Sequence, residues 1–143
     1  MKITSRASDY ALLLLMYLAT LPIDETASVK KIAVHHKLSL RFLANIANKL
    51  TIARLVVAQR GIGGGMKLAR RAHEISVREV IEAVEGPIQT MFCQNTHELC
   101  SHEALCHMKN FWDEIQDDVT TRLSEKKIGD LISPPTEPVQ IAV

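Results

Sequence analysis

From Ser8 to Thr20 the residues SDYALLLLMYLAT are apolar almost all round a helical wheel, which predicts a buried helix. The next segment, LPIDETAS, contains Pro22 and reads as a loop. Ser28 then offers an N-cap for a short helix, VKKIAVHH. After the turn KLS, Ser39 offers a second cap, for the helix LRFLANIANKL. In that helix Leu43, Ile46, Ala47 and Leu50 recur at i, i+3, i+4 and i+7, one stripe for burial, and Arg41, Asn45, Asn48 and Lys49 fall outside it. Two short helices joined by a tight turn, the second polar on its outer side, form a helix-turn-helix pattern.

The residues LVVAQR (Leu55–Arg60) have strand composition, and GIGGG and then MKLAR follow. A hairpin with a glycine-rich tip directly after the second helix predicts a winged helix. A dinucleotide-binding loop is the rival reading of residues 61–65. It fails because Met66 stands where the last glycine of G-x-G-x-x-G is required, and because no helix follows. SVRE (Ser76–Glu79) is a capping box for the helix VREVIEAVE, which Gly86 and Pro87 stop. A long helix is predicted over about Glu103–Lys126, where Leu105, Met108, Trp112, Ile115 and Val119 alternate in steps of three and four like a coiled-coil seam. Asp113, Glu114, Asp117 and Asp118 lie on its other face. Such a seam after a complete small domain predicts a dimerisation helix; packing back on its own domain is the alternative. The expected fold is mainly α with a small β-hairpin. A winged helix-turn-helix domain with its following helix covers residues 1–87, a cysteine-rich segment 88–106, the dimerisation helix 103–132 and an extended tail 133–143.

A chain of 143 residues is the size of one domain with a core of its own. Aromatic residues make up only 4%, so Leu, Ile, Val and Ala must fill that core. The apolar run Tyr10–Leu21 is shorter than the ~20 residues that cross a bilayer, and it lacks the basic start and cleavage site of a signal peptide. The expectation is a cytoplasmic protein with no membrane partner. Charge changes the picture more. From Met1 to Ile75 twelve Lys and Arg face four acidic residues, whereas from Ser76 to Val143 five face twelve, so the net +1 conceals a basic half and an acidic half. The basic half carries the helix-turn-helix and wing, which points to double-stranded DNA. Ser39, Arg41 and Asn45 at the start of the second helix are the candidates for base edges. Ser28, Lys30, Gly64 and Lys67 are the candidates for phosphates, and Arg60 and Lys67 flank the wing tip.

All three cysteines, Cys93, Cys100 and Cys106, lie in FCQNTHELCSHEALCHMK, residues 92–109, among His97, His102 and His107. The spacing C-x6-C-x5-C is too wide for a C-x-x-C redox pair or a zinc knuckle, and an odd count disfavours a purely disulfide role. It suits thiolates converging on an iron–sulfur cluster. Three thiolates and a histidine around zinc, or plain structural thiols, stay open. Cys106 beside His107 or His102 is the only evident thiol–imidazole pair, with no group to orient it, so no enzyme is expected.

With these elements in this order, the chain resembles the Rrf-two family of bacterial iron–sulfur transcription regulators. The resemblance is carried by MKITSRASDYALLLLMYLA, IAVHHKLSLRFLANIANKL, VVAQRGIGGGMKLAR, ISVREVIEAVEG, the cysteine triplet and IGDLI. Within the family, SDYALLLLMYLATLP and CHMK are similar to the nitric-oxide-sensing repressors. That resemblance implies a cluster, 2Fe–2S or 4Fe–4S, held by Cys93, Cys100, Cys106 and Asp9, with Asp9 coming from the other subunit of a homodimer. It also implies a palindromic operator, Arg60 in the minor groove, and nitric oxide or an oxidant as signal. In the iron–sulfur-status branch a histidine ligand sits three residues beyond the third cysteine; here that position is Lys109. That branch, and a cluster-free repressor with zinc-bound or structural cysteines, are the alternatives.

Overall fold

The structure, a computed structural model, describes residues 4–91, 100 and 105–132. Its first helix, α1 (Arg6–Ala19), begins earlier than the apolar run suggests, because Ser5 is the cap: its hydroxyl accepts the Ala7 N–H at 3.0 Å. Ala11, Leu14, Leu15 and Leu18 of α1 are buried. Helices α2 (Val29–His36) and α3 (Leu40–Ile52) follow, capped by Ser28 and Ser39 as their sequence predicts, and Leu43, Ile46, Ala47 and Leu50 form the buried stripe of α3. Lys37 ends α2 in the left-handed region, with φ 55°.

The wing is an antiparallel pair, β1 (Val56–Gln59) and β2 (Gly65–Leu68), in register from Val56↔Leu68 to Gln59↔Gly65. Ala27, just before α2, pairs with Met66 through both backbone groups, at 3.1 and 2.8 Å, and so stitches the helix-turn-helix to the wing. This close approach explains Gly65: a Cβ there would lie 2.8 Å from the Ala27 backbone.

A 3-10 turn (Ala72–Glu74) leads to α4 (Val77–Glu85), whose capping box is complete. Ser76 accepts from the Glu79 N–H at 3.2 Å, and Glu79 accepts from the Ser76 N–H at 2.8 Å. The chain ends its described course in α5 (Lys109–Glu125) and the short α6 (Ile128–Ile132). Both pack back on the domain. Val119 and Leu123 of α5 and Leu131 of α6 join Val77, Ile81 and Ile88 in a second apolar cluster, and the Gln116 side chain bridges the Ile88 carbonyl (2.6 Å) and the Thr90 N–H (2.8 Å).

Here the predicted long helix needs correction. It starts at Lys109 rather than Glu103, and Leu105 and Met108 precede it. The Lys109 N–H donates to the Cys106 carbonyl in a turn, and no side chain caps Met108. Leu105 and Met108 continued the three-and-four spacing by coincidence of position, and periodicity alone cannot mark a start that lacks a cap. The seam also divides: Val119, with Leu123, packs on α4, Trp112 and Ile115 are half-buried, and Leu105 and Met108 stay exposed, as does Phe111 outside the seam. The predicted tail 133–143 lies outside the described residues, as does Cys93 with most of its segment.

Removing the α4 cap with Ser76→Ala is expected to lower the unfolding free energy by about 1 kcal/mol, read as a lower urea midpoint at unchanged slope. Burial opposes ionisation of Glu79, but the Ser76 N–H, the Ser76 hydroxyl and Arg70 outweigh it and hold its carboxyl below the ordinary glutamate value. A depressed folded pKa stabilises fully above the ordinary value, and that stability is lost as pH falls through the folded one. Glu79→Gln should therefore lower stability near neutral pH and flatten the acid limb of the stability curve; an unchanged acid limb would contradict this.

Candidate nucleic-acid interface

The first turn of α3 is built to present polar groups outward. Ser39 accepts the Phe42 N–H at 3.4 Å, which leaves the hydroxyl proton of Ser39 available to a partner. Arg41 and Asn45 are exposed, and with Ser39 and Phe42 they line one shallow, open depression. Lys49, further along, donates to the Val84 carbonyl at 2.9 Å and is thereby tied to α4. The end of α3 that can project from the domain is thus the N-terminal end, where the three base-edge candidates lie together.

The phosphate candidates flank it. Ser28 accepts the Lys31 N–H at 3.1 Å as the α2 cap, and the exposed Lys30 has no ion-pair partner among the described residues. The same holds for Arg60, at the end of β1. Lys67 differs: it is ion-paired with Asp24 at 3.1 Å, so any phosphate would compete with that carboxylate. Gly64 also departs from the simple expectation of a free backbone donor. Its N–H is committed to the Gly61 carbonyl at 2.9 Å, and a Cβ on it would collide with the Gln59 carbonyl oxygen. Its contribution is a compact turn, with Gly61 (φ 110°) and Gly63 (φ 74°) in conformations that favour glycine. Thr26 donates to the Gly63 carbonyl at 3.0 Å, so the wing is braced by the α1–α2 loop in three places.

The cysteine segment is described in part. Cys93, His97 and His102 lie outside the described residues; Cys100 is exposed, Cys106 is half-buried, and both are free thiols. Among the described residues no three metal-ligating side chains converge. Asp9 is exposed in the first turn of α1, where its charge meets the positive end of the helix dipole, and its carboxylate has no hydrogen-bond or ion-pair partner among the described residues. The two thiols and the uncommitted carboxylate are donor types that suit iron, although the fold of one chain does not bring the three together.

Contacts invisible in the sequence frame Asp9. Glu85, at the end of α4, accepts hydrogen bonds from the Ser5 hydroxyl, the Ser5 N–H (3.3 Å) and the buried Ser8 hydroxyl (2.7 Å). Those bonds, Ser5's first, hold the Glu85 carboxyl below its ordinary range against the opposing effect of burial. On the other side of Asp9, Tyr10 meets Phe42 edge-on, with ring centroids 5.6 Å apart. The first turn of α1 is therefore fixed at once to the end of α4, from which the cysteine segment departs, and to the first turn of α3. No local signal announces either contact, since Ser8 and Glu85 are 77 residues apart.

Residues 4–134 match the Rrf2 family, described as an iron-dependent transcriptional regulator. The chain is 30% identical over 135 residues to the HTH-type transcriptional regulator NsrR of Halalkalibacterium halodurans, covering 93% of this chain and 91% of that one. In structure it is similar to CymR (YrzC), the global cysteine regulator of B. subtilis, with a TM-score of 0.77, 28% identity and coverage of 92% of this chain and 97% of that one. It is similar as well to Staphylococcus aureus CymR, with a TM-score of 0.72, 28% identity and coverage of 93% and 100%. Among the described residues no helix is long and apolar enough to cross a membrane.

Arg41→Ala is expected to cost about 1–3 kcal/mol on the best site and to relax sequence preference there. Lys67→Ala should weaken all sequences alike and lower the salt slope by about one. Asp24→Asn, which frees Lys67, should strengthen binding to every sequence. Identical effects of Arg41→Ala and Lys67→Ala on a panel of duplexes would refute this division.

Proposed function

Because the chain belongs to the Rrf2 family of transcriptional regulators, we propose that it is a homodimeric repressor whose hold on a palindromic operator is governed by an iron–sulfur cluster sensing nitric oxide or an oxidant. The observation that carries this reading is Asp9: an exposed, uncommitted carboxylate on a helix whose next residue packs against the DNA-reading helix. Cys93, Cys100 and Cys106 of one protomer and Asp9 of its mate would hold the cluster. When bound, it supplies iron held firmly by thiolates and weakly by one oxygen, the corner open to a small reactive molecule.

The chain's own residues account for the coupling. Asp9, engaged or released, sets the position of the first turn of α1. The Ser5–Ser8–Glu85 hydrogen bonds make that turn and the end of α4 move as one body. Tyr10 leans on Phe42, so a displacement of Asp9 is passed to the N-terminal turn of α3. On DNA, Ser39, Arg41 and Asn45 read base edges in the major groove, Arg60 enters the minor groove, and Ser28, Lys30 and Lys67 meet the backbone, with Gly64 shaping the turn of the wing tip. Leu105, Met108 and Phe111, exposed just before and within the first turn of α5, are what a second protomer would cover. A change of spacing between the two recognition helices is enough to lose a two-half-site operator.

The test is Asp9→Ala, purified without oxygen beside the wild type. The expected outcome is a changed absorption spectrum or a lower iron content, and operator binding that no longer follows nitric oxide as the wild type does. An Asp9→Ala protein with wild-type iron content and a wild-type response would overturn the assignment of Asp9.

A further inference from the structure

We infer that Phe42 reads the C5-methyl group of a thymine in the operator. The inference rests on the reading that the first turn of α3 enters the major groove. Phe42 sits there with 39% of its surface exposed, an aromatic side chain in a depression whose other lining residues are polar; Leu40 of the same turn is exposed but does not line that depression. Large apolar groups on a DNA-contacting surface lose contact with water when the complex forms, and they need an apolar counterpart to gain from it. The major groove offers one, the methyl of thymine; every other distinguishing group on the base edges is a hydrogen-bond donor or acceptor.

The surroundings make Phe42 a prepared surface rather than a loose one. Its N–H is held by the Ser39 hydroxyl at 3.4 Å, which fixes it in the first turn. The Tyr10 ring meets it at 5.6 Å and 79°, edge to face, so that its side chain is already ordered before DNA arrives. It shares its depression with Ser39, Arg41 and Asn45, the groups suited to hydrogen-bonded readout. An aromatic ring among such groups would place its methyl at the base step they read or at the adjoining one.

The experiment replaces each thymine of a selected operator with deoxyuridine, one position at a time, which removes only the methyl group. It uses whichever form of the full-length protein binds the operator, loaded with iron or not. For the wild type, one position in each half-site is expected to lose about four-fold in affinity, the worth of one buried methyl. In Phe42→Ala that position becomes indifferent to the methyl, whereas in Arg41→Ala the penalty persists. Phe42→Leu, which keeps apolar bulk should the alanine protein fold poorly, retains a penalty. The inference is overturned if no thymine shows a penalty, or if Phe42→Ala shows the same penalties as the wild type. Should Arg41→Ala still alter sequence preference in that case, the reading of α3 as the recognition helix survives and only the role of Phe42 falls. Should Arg41→Ala leave preference untouched, both fall together.

Discussion

The burial of α1 is the constraint on which the remaining structure depends. Ala11, Leu14, Leu15 and Leu18 lie in the core, and α2, α3, α4, α6 and β2 all pack against this one helix. Each fully buried leucine contributes about 1.5–3 kcal/mol relative to an exposed one, so α1 cannot slide or tilt without losing much of a small domain's stability. Its first turn buries Ser8 and Ala7 packs on the core, while Asp9 points outward to solvent. A ligand acting there meets a stiff lever: the turn is hydrogen-bonded to Glu85, and the adjoining Tyr10 meets Phe42 edge-on.

The charge asymmetry of the chain has a structural counterpart. The basic residues of the N-terminal half sit on α2, on the exposed side of α3 and around the wing, while α5 carries acidic residues on its exposed positions. Within the basic face the protein also uses restraint. Asp24 occupies Lys67, and Lys49 is spent on the Val84 carbonyl, whereas Arg41, Lys30 and Arg60 are among the exposed cations that have no ion-pair partner among the described residues. A wing tied to the α1–α2 loop through Ala27–Met66, Thr26–Gly63 and Asp24–Lys67 moves with the helix-turn-helix as one module.

Much of the architecture was legible before any coordinates, because it is written in local chemistry. Ser28, Ser39 and Ser76 mark helix starts through hydroxyls that satisfy backbone N–H groups, and Gly86 marks a stop; α2 and α4 fall where those residues put them. The hairpin followed from strand composition around a glycine-rich tip. Where no cap exists the sequence misled: at Met108 the apolar spacing runs on through a turn, and α5 begins later than periodicity implies. The Ser8–Glu85 and Tyr10–Phe42 contacts were illegible for a different reason, since they depend on how α1, α3 and α4 meet in space. In the site, residue types identified the donors, whereas the commitment of Gly64 and Lys67 to partners within the chain needed the fold to reveal it.

The central claim is that a cofactor held by the cysteines and Asp9 controls how the winged helix meets DNA. It is tested most directly on the wild-type protein, purified anaerobically, with iron and sulfide counted, an absorption spectrum recorded, and operator affinity measured before and after nitric oxide. The account predicts an iron-loaded, coloured protein whose operator affinity shifts by about ten-fold or more, within the usual span of coupling between two sites. A colourless, iron-free protein that grips the same operator equally well with and without nitric oxide would contradict it.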